Sequence, residues 1–383
     1  MNHIFEKTKS LFQLPTDTVY LNGNSLGPLP KNLPAHINNL LLDKWGKLLT
    51  AGWNQDNWIT QPIDVGNKIA KLLGVKKGQV AVGDTLSIKL YQALFSAVKS
   101  NSNRKIILSD SSNFPSDLYI ADGLVKTLDK ALVINIVEPN DIYDAINDQV
   151  AVVYLSHVDY KTSRKHDITK LSAKAKSCGA RTVWDLAHSV GVIDLKLSES
   201  NVDFAVGCTY KYLNGGPGSP GFIYVSPELI DNAELTFQGW MGHRAQFSFE
   251  PNYYPANGIN KMLVGTQSVI AMASLNFALN IFELVEMHLV RKRSIELTDL
   301  LIESLKPLCP PLNLESPSRA CCRGSHVAYS FTNAYELTQA LISHGVMGDF
   351  RAPNLIRFGI NPLYLDEADI TKAAKIIKVK RFI

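Results

Sequence analysis

At 383 residues, 46% apolar and 19% charged, the chain can bury a large core and is long enough for two domains. A formal net charge of +4 over that length leaves no strong field, and short basic groups such as Arg291, Lys292 and Arg293 read as a solvated helix face, which argues against a nucleic-acid partner. The five cysteines (Cys178, Cys208, Cys309, Cys321 and Cys322) are odd in number and lack metal-ligand spacing, so reduced thiols are expected rather than disulfides or a zinc site. The amino terminus, MNHIFEKTKSLF, has no apolar signal core, and the longest apolar stretch, 268–282, is interrupted by Asn276 and Asn280. The expectation is a cytoplasmic protein without a membrane span.

Residues 15–30, PTDTVYLNGNSLGPLP, predict a short strand at Val19, Tyr20 and Leu21 and then a turn-rich polar loop. No second strand offers a hairpin, so the loop is expected to pack against another part of the chain. A helix over 33–49 follows. In GWNQDNWIT, Trp53 and Trp58 mark either a substrate-side loop or a surface loop anchored by two indoles. A helix over 61–73 and a strand over 80–82 lead to a helix starting near Thr85, with apolar residues at Ile88, Tyr91, Leu94 and Phe95. Its first-turn N–H groups, with the Thr85 and Ser87 hydroxyls beside them, suit a phosphate or form an ordinary N-cap.

The next unit is a strand over 105–109 and a helix from about Pro115, with Phe114, Pro115, Ser116 and Asp117 on the turn between them. In an open α/β sheet such turns line the ligand crevice, and an aromatic there can stack on a flat ring. A strand over 132–136 and a helix over 142–147 precede a strand over 151–155 that ends in Ser156 and His157. A helix over 168–178 then leads to a strand finishing at Val183 and Trp184, with Asp185 at its end and His188 three residues on. A carboxylate at that place either faces a cation, such as a pyridinium nitrogen, or caps the next helix.

The stretch VDFAVGCTYKYLNGGPGSPGFIYV presents Lys211 after one apolar run, 202–206, and before another, 222–225. Gly215, Gly216, Gly218 and Gly221 lie between the lysine and the second run. A lysine desolvated in this way is a usable amine nucleophile, the requirement for a Schiff base with an aldehyde cofactor. Strands alternating with helices over 78–225 predict a mostly parallel sheet. Residues 226–267 read as irregular, with Trp240, Gly242, His243 and Arg244 together, and one long helix is expected from 268 to about 304. A small α+β region follows: strand 327–331, helix 335–344, strands 345–350 and 355–360, helix 367–379.

Two patterns are set aside. Gly216, Gly218 and Gly221 match GxGxxG, but Pro217 and Pro220 interrupt it and a strand follows where a dinucleotide fingerprint needs a helix. His157, His166, Asp185 and His188 lack the helical spacing of common metal sites, so no metal is expected.

Taken together, NGNSLGPLP, NFPSDLY, SHVDYKTS, WDLAHSVG, CTYKYLNGGPGSP, GWMGHR, GTQSV and GDFRAPNLIRFGINPLY occur in the order found in kynureninases, and the chain resembles that family from about residue 16 to 365. The resemblance implies an α/β protein of the pyridoxal-phosphate-dependent transferase fold type I, with a mostly parallel sheet in the large domain and a small α+β domain. Its expected divisions are an N-terminal segment at 1–60 packing on the site and the small domain, a cofactor-binding domain at 61–285, and the small domain at 286–383. It implies that Lys211 bonds pyridoxal 5'-phosphate, that Asp185 pairs with the pyridine nitrogen supported by His188, and that Phe114 stacks on the ring. Leu86, Ser87, Asp117, Ser156, Tyr210 and Trp240 would be further cofactor contacts, and Thr266 would reach the phosphate of a neighbouring subunit, giving a homodimer with shared sites. Arg357 would clamp the α-carboxylate of an amino-acid substrate, and Tyr210 would be the acid/base for the carbonyl steps. The implied reaction is hydrolysis of kynurenine or 3-hydroxykynurenine to the matching anthranilate and alanine. Other fold type I activities (a cysteine desulfurase, for which Cys321 and Cys322 would be candidates, or an aminotransferase) and a non-catalytic cofactor-binding protein are the competing readings.

Overall fold

A computed structural model describes residues 2–128, 131–306 and 312–380; Cys309 lies outside them. The predicted α/β alternation closes into one seven-stranded sheet of β1 (Val80–Val82), β2 (Ile106–Asp110), β3 (Val133–Val137), β4 (Val150–Ser156), β5 (Arg181–Asp185), β6 (Phe204–Gly207) and β7 (Phe222–Val225). The spatial order is β1-β7-β6-β5-β4-β2-β3. Only β7 runs against its neighbours, pairing antiparallel with both β1 and β6. Neighbouring residues on each strand serve opposite layers, as the pleat requires. Ile107, Val152, Val183, Val206 and Ile223 pack with Leu90, Ala93, Leu94 and Ala97 of the helix Leu86–Lys99. Leu108, Val153, Trp184, Ala205 and Phe222 face the other core, with Leu213, Met272 and Leu275.

The smaller sheet is antiparallel and formed by β8 (Asn313–Leu314), β9 (His326–Ser330), β10 (Asp349–Arg351) and β11 (Leu355–Gly359), in the order β8-β9-β11-β10. The expected strand over 345–350 is divided: Val346–Met347 leaves this sheet to pair in parallel with Val19–Tyr20. That pairing supplies the partner missing from the sequence around residue 20 and fastens the N-terminal segment to the part of the chain that carries the smaller sheet. The unpredicted helix Asn2–Ser10 adds to the fastening, with Lys9 bonded to Asp366 and Asp369 at 2.6 Å each and Phe12 against the Tyr364 ring.

The single long helix expected from 268 is instead two, Val269–Leu279 and Met287–Leu305, bent by 85°. Ile281, Val285, Met287 and Val290 are all buried. At about 100° per residue, Met287 and Val290 would fall on the opposite side of a continuous helix from Ile281 and Val285, so the chain turns to bury both sets. Among the described residues no single helix is long and apolar enough to cross a membrane.

Candidate active site

The ends of β4 and β5, the turn after β6 and the start of the helix Leu86–Lys99 meet in a cavity of about 210 Å³. Leu86, Phe114, Ser156, Asp185, His188, Tyr210, Lys211 and Arg357 line it together, drawn from segments separated by as much as 271 residues. The crevice thus falls where parallel strands end, as it does in open α/β sheets generally.

Two glycines allow the approach. A Cβ on Gly27 would lie 2.5 Å from the Lys211 carbonyl oxygen and 2.6 Å from Asn214 Cα, so only glycine lets the NGNSLGP loop rest on the lysine turn. The Gly27 N–H donates to the Tyr210 carbonyl at 2.7 Å. On the other side, a Cβ on Gly221 would lie 2.8 Å from the Leu86 nitrogen. The start of β7 is thereby pressed against the first turn of the helix. Thr85 is its N-cap, its hydroxyl accepting from the Ile88 N–H at 3.4 Å. The amides of Leu86 and Ser87 donate to no described protein group and remain available to an anion, with Ser87 half-buried beside them.

Lys211 is half-buried rather than sealed; the deep burial falls on its partners. Its Nζ lies 2.9 Å from His188 Nε2. Burial, reinforced by the Lys211 charge, pushes His188 well below the ordinary histidine range, so the ring is neutral. An ammonium can only donate, which assigns the lone pair to Nε2 and the ring proton to Nδ1, a buried atom without a protein partner. Asp185 is buried at the end of β5, and its Oδ1 accepts from the Ala187 N–H at 2.8 Å. Asp117, also buried, lies beneath it. Burial and the neighbouring Asp185 push Asp117 well above the carboxylate range. Burial raises Asp185 too, opposed by the Lys211 cation. Two such carboxyls share one proton, and Asp117 keeps it. Ser156 Oγ donates to Asn113 Oδ1 at 2.7 Å and lies 3.4 Å from Asp117 Oδ2. The Cys208 thiol and burial raise the Tyr210 phenol, which is a neutral donor at neutral pH.

Phe114 stands edge-on to Tyr160, with ring centroids 5.0 Å apart. Arg357, 1% exposed, holds Asp349 through Nε at 2.8 Å and again through Nη2. Its Nη1 donates to the Tyr160 carbonyl. The expected bidentate grip of Arg357 is therefore on Asp349 in this structure. Trp240 and Thr266 do not line the cavity; the Trp240 indole N–H donates to Thr266 Oγ1 at 3.2 Å at the surface. Trp53 and Trp58 are absent from its wall as well: they pack edge-to-face, ring centroids 5.9 Å apart, with Leu40 and Ala273, the anchored alternative of the two. Cys321 and Cys322 lie on a short turn of the small domain, outside the wall.

Sequence reasoning missed Asn24, Ser25, Val158, Tyr160 and Arg351, all of which line the cavity. Every one lies in a motif that carried the resemblance. The local signal was present; what was missing was the long-range pairing that turns these residues toward Lys211.

Comparison of structures gives the chain the fold of the pyridoxal-phosphate-dependent enzymes of fold type I. It superposes on a cysteine desulfurase from Thermococcus onnurineus with a TM-score of 0.82, covering 98% of this chain and 97% of that one, at 16% identity. A C-DES mutant with glycine covalently linked to its PLP cofactor also gives 0.82, covering 98% and 99%, at 16% identity. That likeness concerns the fold alone. Sequence comparison goes further: residues 290–377 match the kynureninase C-terminal domain. A kynureninase of Pseudomonas fluorescens is 41% identical over 373 residues, 96% of this chain and 90% of that protein. One from Deinococcus radiodurans is 41% identical over 369 residues, 94% and 90%. The chain belongs to the kynureninase family.

Proposed function

We propose that this chain hydrolyses L-kynurenine, or its 3-hydroxy form, with pyridoxal phosphate as cofactor: water is consumed, the Cβ–Cγ bond breaks, and anthranilate and L-alanine leave. The reading is carried by one observation, a chain about 40% identical to kynureninases over nearly its full length whose cavity joins Lys211 to Asp185. The residues present fit the cofactor. Unpartnered Leu86 and Ser87 amides suit its phosphate, the Asp185 carboxylate suits a cationic ring nitrogen, and half-exposed Phe114 suits a flat ring. Lys211 would hold the aldehyde through Nζ. When bound, pyridoxal phosphate supplies an electron sink for the substrate's α-carbon.

The protein's own groups do the rest. Neutral His188 holds Lys211 Nζ in place, where Nζ would take the α-proton of the bound amino acid. Asp117, keeping its proton, leaves the negative charge on Asp185 facing the ring. Tyr210, neutral and half-buried, would donate to the carbonyl oxygen as water adds and take a proton back from the resulting hydroxyl as the carbon–carbon bond breaks. Arg357 would supply its remaining cationic N–H to the α-carboxylate.

The active form is read as a cytoplasmic homodimer, in keeping with four free thiols among the described residues. Trp240 and Thr266 would serve the partner's cavity from a surface that also exposes Trp45, Leu42 and Ile270. A solution mass near the chain's own 42.3 kDa would count against that assembly. For the activity, purified protein with pyridoxal phosphate and kynurenine should release fluorescent anthranilate, and Lys211→Ala should not. No release by the wild type, or equal release by the variant, would overturn the assignment.

A further inference from the structure

The carboxylate end of the cavity has one guanidinium more than its own ion pair needs. Of the five N–H donors of Arg357, Nε–H and one on Nη2 go to Asp349, the second on Nη2 faces Ser25 Oγ at 3.3 Å, and one on Nη1 goes to the Tyr160 carbonyl. A single N–H is left. Fully buried and held on three sides, Arg357 cannot turn a free two-pronged edge to a ligand without giving up a partner. Asp349 is neutralised by this pair; burial raises its carboxyl, but the Arg357 hydrogen bonds and charge hold it below the ordinary range.

Arg351, two strands' ends away on the same β10–β11 hairpin, lines the same cavity. It reaches Asp349 Oδ2 at 2.9 Å and Ser25 Oγ at 3.5 Å through one atom, Nη2. Its side chain is 43% exposed, against 2% for Arg357. Asp349 carries one negative charge and the two arginines carry two positive ones, so the wall keeps a net positive charge facing the cavity. Arg351 is the more exposed member, and its Nε and Nη1 have no partner among the described residues.

We propose that Arg351 is a substrate-binding residue that completes the α-carboxylate site: the carboxylate is gripped by the remaining N–H of Arg357 and the uncommitted Nε and Nη1 of Arg351, with Asp349 as the anchor between them. The inference deepens the reading above, since it needs an amino acid in this cavity. It does not depend on which amino acid is cleaved.

The test is a titration of the cofactor-loaded enzyme, followed by the cofactor's absorbance, with L-alanine and with L-alaninamide. The amide has the same amine and methyl group but no carboxylate charge. Losing a charge-assisted pair should weaken L-alanine binding by roughly ten- to a hundredfold in Arg351→Gln and leave L-alaninamide within about twofold. Arg351→Lys, keeping the charge without the fork, should weaken L-alanine less than Arg351→Gln does. Equal weakening of both ligands would assign Arg351 a purely structural role and overturn the proposal, as would unchanged L-alanine binding. Should wild-type protein bind L-alanine yet release no anthranilate, the kynurenine assignment falls and the carboxylate site is still decided by the ratio of the two ligands.

Discussion

Replacing Asp185 by asparagine separates what the site costs the fold from what it contributes to chemistry. The substitution keeps shape, and an amide oxygen can still accept from the Ala187 N–H, now at 2.8 Å. It removes the carboxylate proposed to oppose a cationic ring nitrogen. Deleting one member of a buried charge pair costs about 3–5 kcal/mol. At about 1.4 kcal/mol per decade, turnover should fall roughly 100- to 4,000-fold, measured as anthranilate fluorescence with saturating cofactor. The same change should raise the melting temperature of the cofactor-free protein at pH 7. Burial raises the Asp185 carboxyl in the folded state, so folding binds protons more tightly there than the unfolded chain does. The cost is absent below the unfolded carboxylate value of about 3.9, accrues as pH rises towards the raised folded value, and is constant above it. The melting-temperature gap between variant and wild type should therefore open with rising pH. Turnover within about tenfold of wild type, or a variant less stable than wild type at pH 7, would refute the assignment of a buried, functionally used charge.

Gly221→Ala should destabilise the protein by about 1–3 kcal/mol and weaken cofactor binding in reconstitution titrations, because its Cβ would meet backbone atoms of Leu86 and Thr85 at 2.8–3.0 Å and move the helix start. Gly123→Ala, on an exposed helical position with nothing within 4 Å of the added carbon, should instead stabilise by about 0.5–1 kcal/mol; losses of similar size in both would remove the steric explanation. Asp349→Ala should cost about 3–5 kcal/mol in urea unfolding by leaving Arg357 buried without its anion. Because Asp349 is held low, that difference should persist from neutral pH down to about 4 and shrink only below it.

The strand ends of the large sheet were legible because each β–α unit carries its own punctuation. The apolar runs ending at Asp185 and before Lys211, and the Thr85 cap ahead of an apolar helix face, are local patterns that tertiary structure did not overrule. Other features depend on partners far away in the chain. The pairing of Val19–Tyr20 with Val346–Met347 joins segments more than 320 residues apart, and two-residue strands leave no period to detect. The bend between Leu279 and Met287 carries no proline or glycine, so only the burial of two opposed faces reveals it. Arg351 and Asp349 were unremarkable for the same reason: a charged residue on a short strand reads as solvent-facing until its neighbours are known.

This division bears on how one fold hosts different reactions. The structures of desulfurases superpose on this chain at 16% identity, so the sheet and its strand-end crevice are compatible with several activities. Lys211, Asp185 and the free amides of the helix start, the groups proposed to hold the cofactor, stand at the ends of that sheet's strands and turns. Asn24 and Ser25 from the N-terminal loop and Arg351 and Arg357 from β10 and β11 line the same cavity from two other segments. Those segments are fastened to each other by the Val19–Tyr20 pairing, the Lys9 ion pairs and the Ser25–Asp349 hydrogen bond, 2.8 Å long. They are not insulated from the lysine turn, because Gly27 of the same loop donates to the Tyr210 carbonyl at 2.7 Å, so a shift in either segment is felt by the other and by the turn that presents Lys211.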